Sequence, residues 1–136
     1  MGKSFMRADE NINEWIERAE GDYETVIDLY KKKKKRQFYI VAFHCQQCSE
    51  KYLKALLTSY KIEFPRHHDL EELLVLLLQK DPLLAPIRKY LKELTPFAVA
   101  FRYPGEDIIK EETQSAVRTM KQVRLILRKR LGLKNK

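Results

Sequence analysis

Three short clusters hold the residues whose types and spacing suit chemistry. In the first, Gln46, Glu50 and Lys54 recur at i, i+4 and i+8 with Gln47 and Lys51 beside them, a spacing that puts side chains along one face of a helix. Glu50 precedes Lys54, the favourable order for an ion pair at this separation. Such a row either meets water as a surface pair of small worth or lines a site. The second cluster is His67-His68-Asp69. Asp69 suits a helix N-cap; an imidazole at His68, if it faces a cleft, titrates near neutrality and can carry a proton. The third is Phe101-Arg102-Tyr103-Pro104-Gly105. An Arg beside a Pro-Gly turn is a rigidly placed cation whose planar fork matches a phosphate. Tyr103 can stack on a base or hydrogen-bond a phosphate. The alternative for Arg102 is to cap carbonyls at the end of its own helix.

Cys45 and Cys48 lie three apart on the same stretch as the first cluster. A CxxC pair signals redox or zinc chemistry in a βαβ context or beside a second CxxC, and this chain has neither. His44 shares a face with Cys48, but a fourth ligand is missing. Two small apolar core residues is the simpler reading, so neither a metal nor a cofactor is expected.

Charge narrows the partners. The 136 residues carry a net charge of +8, with 27 basic and 19 acidic side chains. The excess sits in Lys31–Arg36, six basic residues in a row, and in Arg118–Lys136, eight basic residues with no acid. Clusters of this kind attract nucleic acid, nucleotides or an acidic partner, although a solvated lysine-rich surface has the same composition. Lys33, Lys34, Lys35, Arg36, Arg124 and Arg128 are the candidate nucleic-acid contacts. No apolar run approaches the ~20 residues of a membrane span, and MGKSFMRADE lacks a signal-peptide core, so a cytoplasmic protein with no membrane contact is expected.

The elements that must position these clusters all read as helices. Ile12, Trp15/Ile16, Ala19, Tyr23, Val26/Ile27 and Tyr30 form a stripe at 3.6-residue spacing, capped by Asn11 or Asn13 and running to about Lys33. Gln37–Ile62 has no Gly or Pro and is apolar on nearly every side over Phe38–Phe43, which predicts a buried central helix that turns polar at mid-length. Leu70–Gln79 is short and leucine-rich. A fourth helix starts around Leu84 to Pro86, with the stripe Ile87, Tyr90/Leu91, Leu94, Phe97/Ala98 and Phe101; Pro96 predicts a kink or break near Lys92–Glu93. Ile109–Leu131 is the last, stopped by Gly132, with Ala116/Val117, Met120, Val123, Leu127 and Leu131 inward. No strand alternation or internal repeat appears. The expected fold is an all-α, up-and-down antiparallel bundle of four long helices with one short extra helix. It forms a single domain over residues 10–132 with flexible ends at 1–9 and 133–136.

In this order, on a chain of this length, the motifs resemble the HEPN domain, in its stand-alone prokaryotic form. The resemblance runs through Ala19 and Asp22, the run Cys45–Leu57 (CQQCSEKYLKALL), His68-Asp69-Leu70 followed by Leu73-Leu74, and Phe101–Gly105, over about residues 10–130. It implies a helical homodimer that binds nucleotide or RNA, often encoded beside a minimal nucleotidyltransferase in a toxin–antitoxin-like pair. The ligand residues it points to are Gln47, Glu50, Lys54, His68, Asp69, Arg102 and Tyr103, and the order of the motifs favours a cleft in which Glu50 and Lys54 face Arg102. Many relatives are metal-independent ribonucleases that use an Arg, a polar residue and a His four to six residues on. Here Arg102 is followed by Asp107-Ile108-Ile109, and no His occurs after His68. The catalytic candidates are then Arg102, Tyr103 and His68, and a binding module is favoured over an endoribonuclease toxin with a degenerate motif. A purely structural dimerisation bundle is the third possibility.

Overall fold

The computed structural model describes residues 8–66, 69–99 and 101–134. Among them the chain forms five α-helices: α1 (Ala8–Tyr30), α2 (Phe38–Ser59), α3 (Leu70–Leu78), α4 (Arg88–Leu94) and α5 (Lys110–Arg130). Short 3-10 turns at Lys35–Gln37, Pro82–Ile87 and Thr95–Phe97 connect them. Of the segments expected to be flexible, residues 1–7 and 135–136 lie outside the described part.

The first and last long helices follow their stripes. α1 ends at Tyr30, short of the expected Lys33, because Lys33 adopts a left-handed φ of 53° and turns the chain. α1 and α2 then run in opposite directions: His44 meets Asp22, Tyr52 meets Glu20 and Lys54 lies over Trp15. α2 closes at Ser59 with Lys61 at φ 58°. There the Ile62 N–H donates to the Leu57 carbonyl at 2.9 Å and the Lys61 N–H to Thr58 at 3.0 Å, the Schellman pattern that satisfies last-turn carbonyls. α5 ends the same way. Gly132 at φ 76° stops it, and the Leu133 N–H donates to the Arg128 carbonyl at 2.9 Å.

The fourth long helix is not formed. Pro86 and Pro96 each lack an N–H and disfavour α geometry in the residue before them. The segment is therefore a 3-10 turn, a seven-residue α4 and a second 3-10 turn carrying Pro96. Its inward stripe survives, with Ile87, Leu91, Leu94 and Phe97 buried, but Phe101, expected to continue it, is 56% exposed. Glu93 accepts from the Thr119 hydroxyl at 2.5 Å and Asp81 from Arg130 at 2.7 Å, so this segment runs opposite to α5.

The core forms where α2 meets α1, α3 and α5. Burial along α2 reverses the expectation. Its apolar first turns are half-exposed at Tyr39, Ile40 and Phe43. Its polar middle is interior: Gln46, Ser49, Glu50 and Lys54 are 0 to 5% exposed. Cys45 and Cys48 are free thiols in the same core, and burial pushes both above the ordinary thiol range. Among the described residues no helix is long and apolar enough to cross a membrane.

Candidate functional site

The sharpest local geometry lies between α4 and α5. Tyr103-Pro104-Gly105-Glu106 forms a turn in which the Glu106 N–H donates to the Tyr103 carbonyl at 2.9 Å. Pro at the second position and Gly at the third, with Gly105 at φ 93°, is the arrangement a type II turn requires. The Glu106 carboxylate accepts from the Tyr103 N–H at 3.1 Å and fastens the turn a second time. Arg102 therefore leaves a fixed corner. Its guanidinium stacks 5.7 Å from the Phe97 ring centre, and it makes no ion pair among the described residues. Phe101 and Tyr103 flank it, edge to face at 5.4 Å, both more than half exposed.

Facing this corner is the start of α2. The 3-10 turn Lys35–Gln37 brings Lys35 and Arg36 to the wall of a cavity of about 440 Å³ shared with Phe101, Arg102 and Tyr103. Tyr39, from the first turn of α2, Pro104, Asp107 and Ile108 complete its lining. Lys35 and Arg36 are exposed and make no ion pair among the described residues. Three cations and three aromatic rings around one hollow can hold a phosphate and stack a base. Its three cations outnumber the one carboxylate on its wall, Asp107, and make no ion pair among the described residues, so the hollow keeps a net positive charge for a ligand.

The other expected ligand residues are elsewhere. The Lys54 ammonium lies 2.8 Å from Glu50 and sits over the Trp15 and Phe64 rings, at 5.4 and 5.8 Å from their centres. Gln46 donates to Glu50 at 3.4 Å and Gln47 donates to Gln46 at 2.8 Å. The row is thus a buried, hydrogen-bonded pair under an aromatic roof. Eleven residues of helix separate Tyr39 from Glu50, about 16 Å at 1.5 Å per residue, so the row does not share a cleft with Arg102. Asp69 is the N-cap of α3, accepting from the Glu71 and Glu72 N–H groups at 3.0 and 3.2 Å. His68 lies outside the described residues.

The candidate nucleic-acid contacts divide. Lys33, Lys34, Lys35 and Arg36 are exposed on the α1–α2 connection. Arg124 and Arg128 are buried, at 7% and 6% exposure, and are internal ties. Arg124 grips Glu20 through two nitrogens at 2.8 and 2.7 Å and stacks on Tyr23. Arg128 donates to the Tyr52 hydroxyl at 2.9 Å and to the Lys134 carbonyl at 2.6 Å. The Tyr52 hydroxyl in turn donates to Glu20. Burial works to raise the Glu20 carboxyl, but hydrogen bonds from Arg124 and Tyr52 with the charges of Arg124 and Arg128 outweigh it and hold the group below its ordinary value. Burial and the bond to Glu20 push the Tyr52 phenol up.

Sequence reasoning missed Tyr39 and Phe101 as cavity walls, because each sat in an apolar stripe that read as core. It gave Asp22 a place in the family pattern but not its partners, His44 Nδ1 at 2.7 Å and the Lys51 ammonium at 2.6 Å. The interior position of Arg124 did have a signal. It falls seven residues after Val117 and four after Met120, on the buried stripe itself.

An all-helical chain with a basic, aromatic hollow between a central helix and an Arg-Tyr-Pro-Gly turn defines a class, and comparison with known families agrees. The HEPN domain model matches residues 12–130, and the chain belongs to the HEPN family, whose members are nucleotide-binding and ribonuclease-like modules. No curated protein matches the chain and no solved structure does.

Proposed function

We propose that this HEPN protein binds nucleotide or RNA in the Arg102 hollow. It acts as a homodimer in the cytoplasm beside a minimal nucleotidyltransferase, in a toxin–antitoxin-like pair. The observation that carries the binding reading is the convergence of Lys35, Arg36 and Arg102 with Tyr39, Phe101 and Tyr103 on one cavity. The cations suit phosphate oxygens, and the rings suit a base face. The homodimer draws support from the exposed apolar side chains around the same turn, Val99, Phe101, Tyr103 and Ile109, each more than half exposed, a patch of the kind that marks an interaction face. The partner and the paired role rest on the family.

Binding takes precedence over cleavage because the hollow offers Asp107 where ribonuclease relatives use a His. The test is titration of labelled ATP and a short single-stranded RNA at several salt concentrations. Wild type binds at least one of them in a salt-sensitive manner, and Arg102→Ala weakens it at least tenfold. Unchanged affinity in Arg102→Ala refutes the site. Incubation with total RNA in EDTA covers the second reading: cleavage lost in Arg102→Ala would make the protein an endoribonuclease.

A further inference from the structure

The Arg102 hollow does not end at Arg102. Arg102, Asp107 and Ile108 also wall a second depression of about 370 Å³, floored by Pro96, Phe97 and Ala116. Glu93 and Ser115 belong both to that depression and to a third of about 420 Å³, which reaches Tyr90, Arg118 and Lys121. Shared walls make the three one groove along the seam of α4 and α5. Its two ends have the same chemistry. Lys35, Arg36 and Tyr39 stand at one, and Arg118, Lys121 and Tyr90 at the other. Arg118 and Lys121 are exposed and make no ion pair among the described residues. Between the ends the walls are apolar and acidic, with Asp107, Glu93 and Glu112.

Resting on the reading of the Arg102 hollow as a nucleotide site, we infer that the groove takes a single-stranded oligonucleotide, held by phosphates at its two basic ends. Length supports a strand over a mononucleotide. The part of α5 that lines the groove, from Glu112 to Gln122, alone rises about 15 Å, and a stacked strand advances about 3.4 Å per nucleotide, so this part spans about four nucleotides. Charge supports the same occupant. The cations sit at the ends, where a backbone must enter and leave. The carboxylates of the middle accept from amino groups on base edges, as Asp and Glu do from cytosine N4. A mononucleotide in the Arg102 hollow would leave Arg118 and Lys121 without a role.

The test compares fluorescent ATP with labelled single-stranded RNAs of two and about ten nucleotides, by anisotropy at fixed salt, in wild type, Arg102→Ala and Arg118→Ala/Lys121→Ala. The readout is the ratio of decamer to ATP affinity. In wild type the decamer binds at least tenfold tighter than ATP or the dimer. In Arg118→Ala/Lys121→Ala that gain collapses to about threefold or less, with a shallower salt slope, and the charge-preserving Arg118→Lys/Lys121→Arg restores it. A decamer-to-ATP ratio unchanged by Arg118→Ala/Lys121→Ala overturns the groove while leaving the Arg102 site standing. Loss of no ligand in Arg102→Ala removes the site on which the groove depends.

Discussion

Replacing Lys54 by Met, with Glu50 left in place, removes the ammonium from a buried carboxylate that keeps its hydrogen bond from Gln46. The two are 2.8 Å apart, with side chains 7% and 3% exposed, so water cannot take over the role of the ammonium. Breaking a pair of this kind costs about 3–5 kcal/mol, because the remaining charge stays desolvated. A surface pair would cost about 0–1 kcal/mol. With a urea m-value of about 2 kcal/mol/M, the unfolding midpoint of Lys54→Met falls by about 2 M. Glu50→Gln/Lys54→Met removes both charges and keeps the volume, so its loss is about 1 kcal/mol or less, and the double-mutant cycle shows strong coupling. Urea unfolding followed by circular dichroism measures all three variants. The double variant, folded and about 16 Å of helix away from the hollow, binds ATP and RNA as wild type does. A Lys54→Met loss below about 1 kcal/mol would refute the buried-pair reasoning. Loss of ligand binding in the folded double variant would return Glu50 and Lys54 to the site.

Acid stability follows from Glu20. Its folded pKa lies below the ordinary 4.5, so the unfolded chain binds its proton first. The stabilisation is therefore whole above about 4.5 and is lost as pH falls through the lower folded value. Glu20→Gln should flatten this part of a stability–pH curve in urea melts. Lys61 occupies a left-handed position at φ 58° that suits glycine, and Lys61→Gly is expected to stabilise by about 0.5–1 kcal/mol in thermal unfolding. Cys45 and Cys48, buried and raised in pKa, should resist a thiol reagent in the native protein and react at once in denaturant; rapid native labelling would contradict their burial. Leu56→Ala, at a fully buried position of α2, should cost about 2–5 kcal/mol.

The helices that were legible in the chain are those whose apolar residues keep one period without interruption. The stripes of α1 and α5 point inward as their spacing requires. Asp69, a short acceptor just before a leucine run, caps α3. The Pro-Gly turn at 104–105 fixed its own geometry. What was not legible depends on neighbours distant in sequence. Glu50 and Lys54 look like surface residues until Trp15 and Phe64, 39 and 10 residues from Lys54, close over them. Arg124 and Arg128 look like part of a basic tail until Glu20 and Tyr52 bind them. Pro96 announced a local fault, whereas Pro86 suited a helix start; the outcome, three short pieces in place of one helix, depends on how these prolines and Pro82 are accommodated together. The hollow itself combines the connection after α1 with the turn before α5, two stretches about 65 residues apart, and no spacing within either one describes it.

The turn at Tyr103–Glu106 has a consequence for the thermodynamics of any ligand at Arg102. A guanidinium on a loose loop must be immobilised when it binds, at a cost in rotamer and backbone entropy. Here the cost is incurred when the chain folds, since Gly105, the Glu106 carboxylate and the Phe97 ring already hold the corner. Affinity is thereby coupled to a residue that need touch no ligand. A Cβ at Gly105 would meet no atom within 4 Å, so Gly105→Ala acts only through its backbone angle of 93°. It would leave the charge and shape of the hollow intact and weaken binding through entropy alone, visible in calorimetry as a less favourable −TΔS at similar enthalpy.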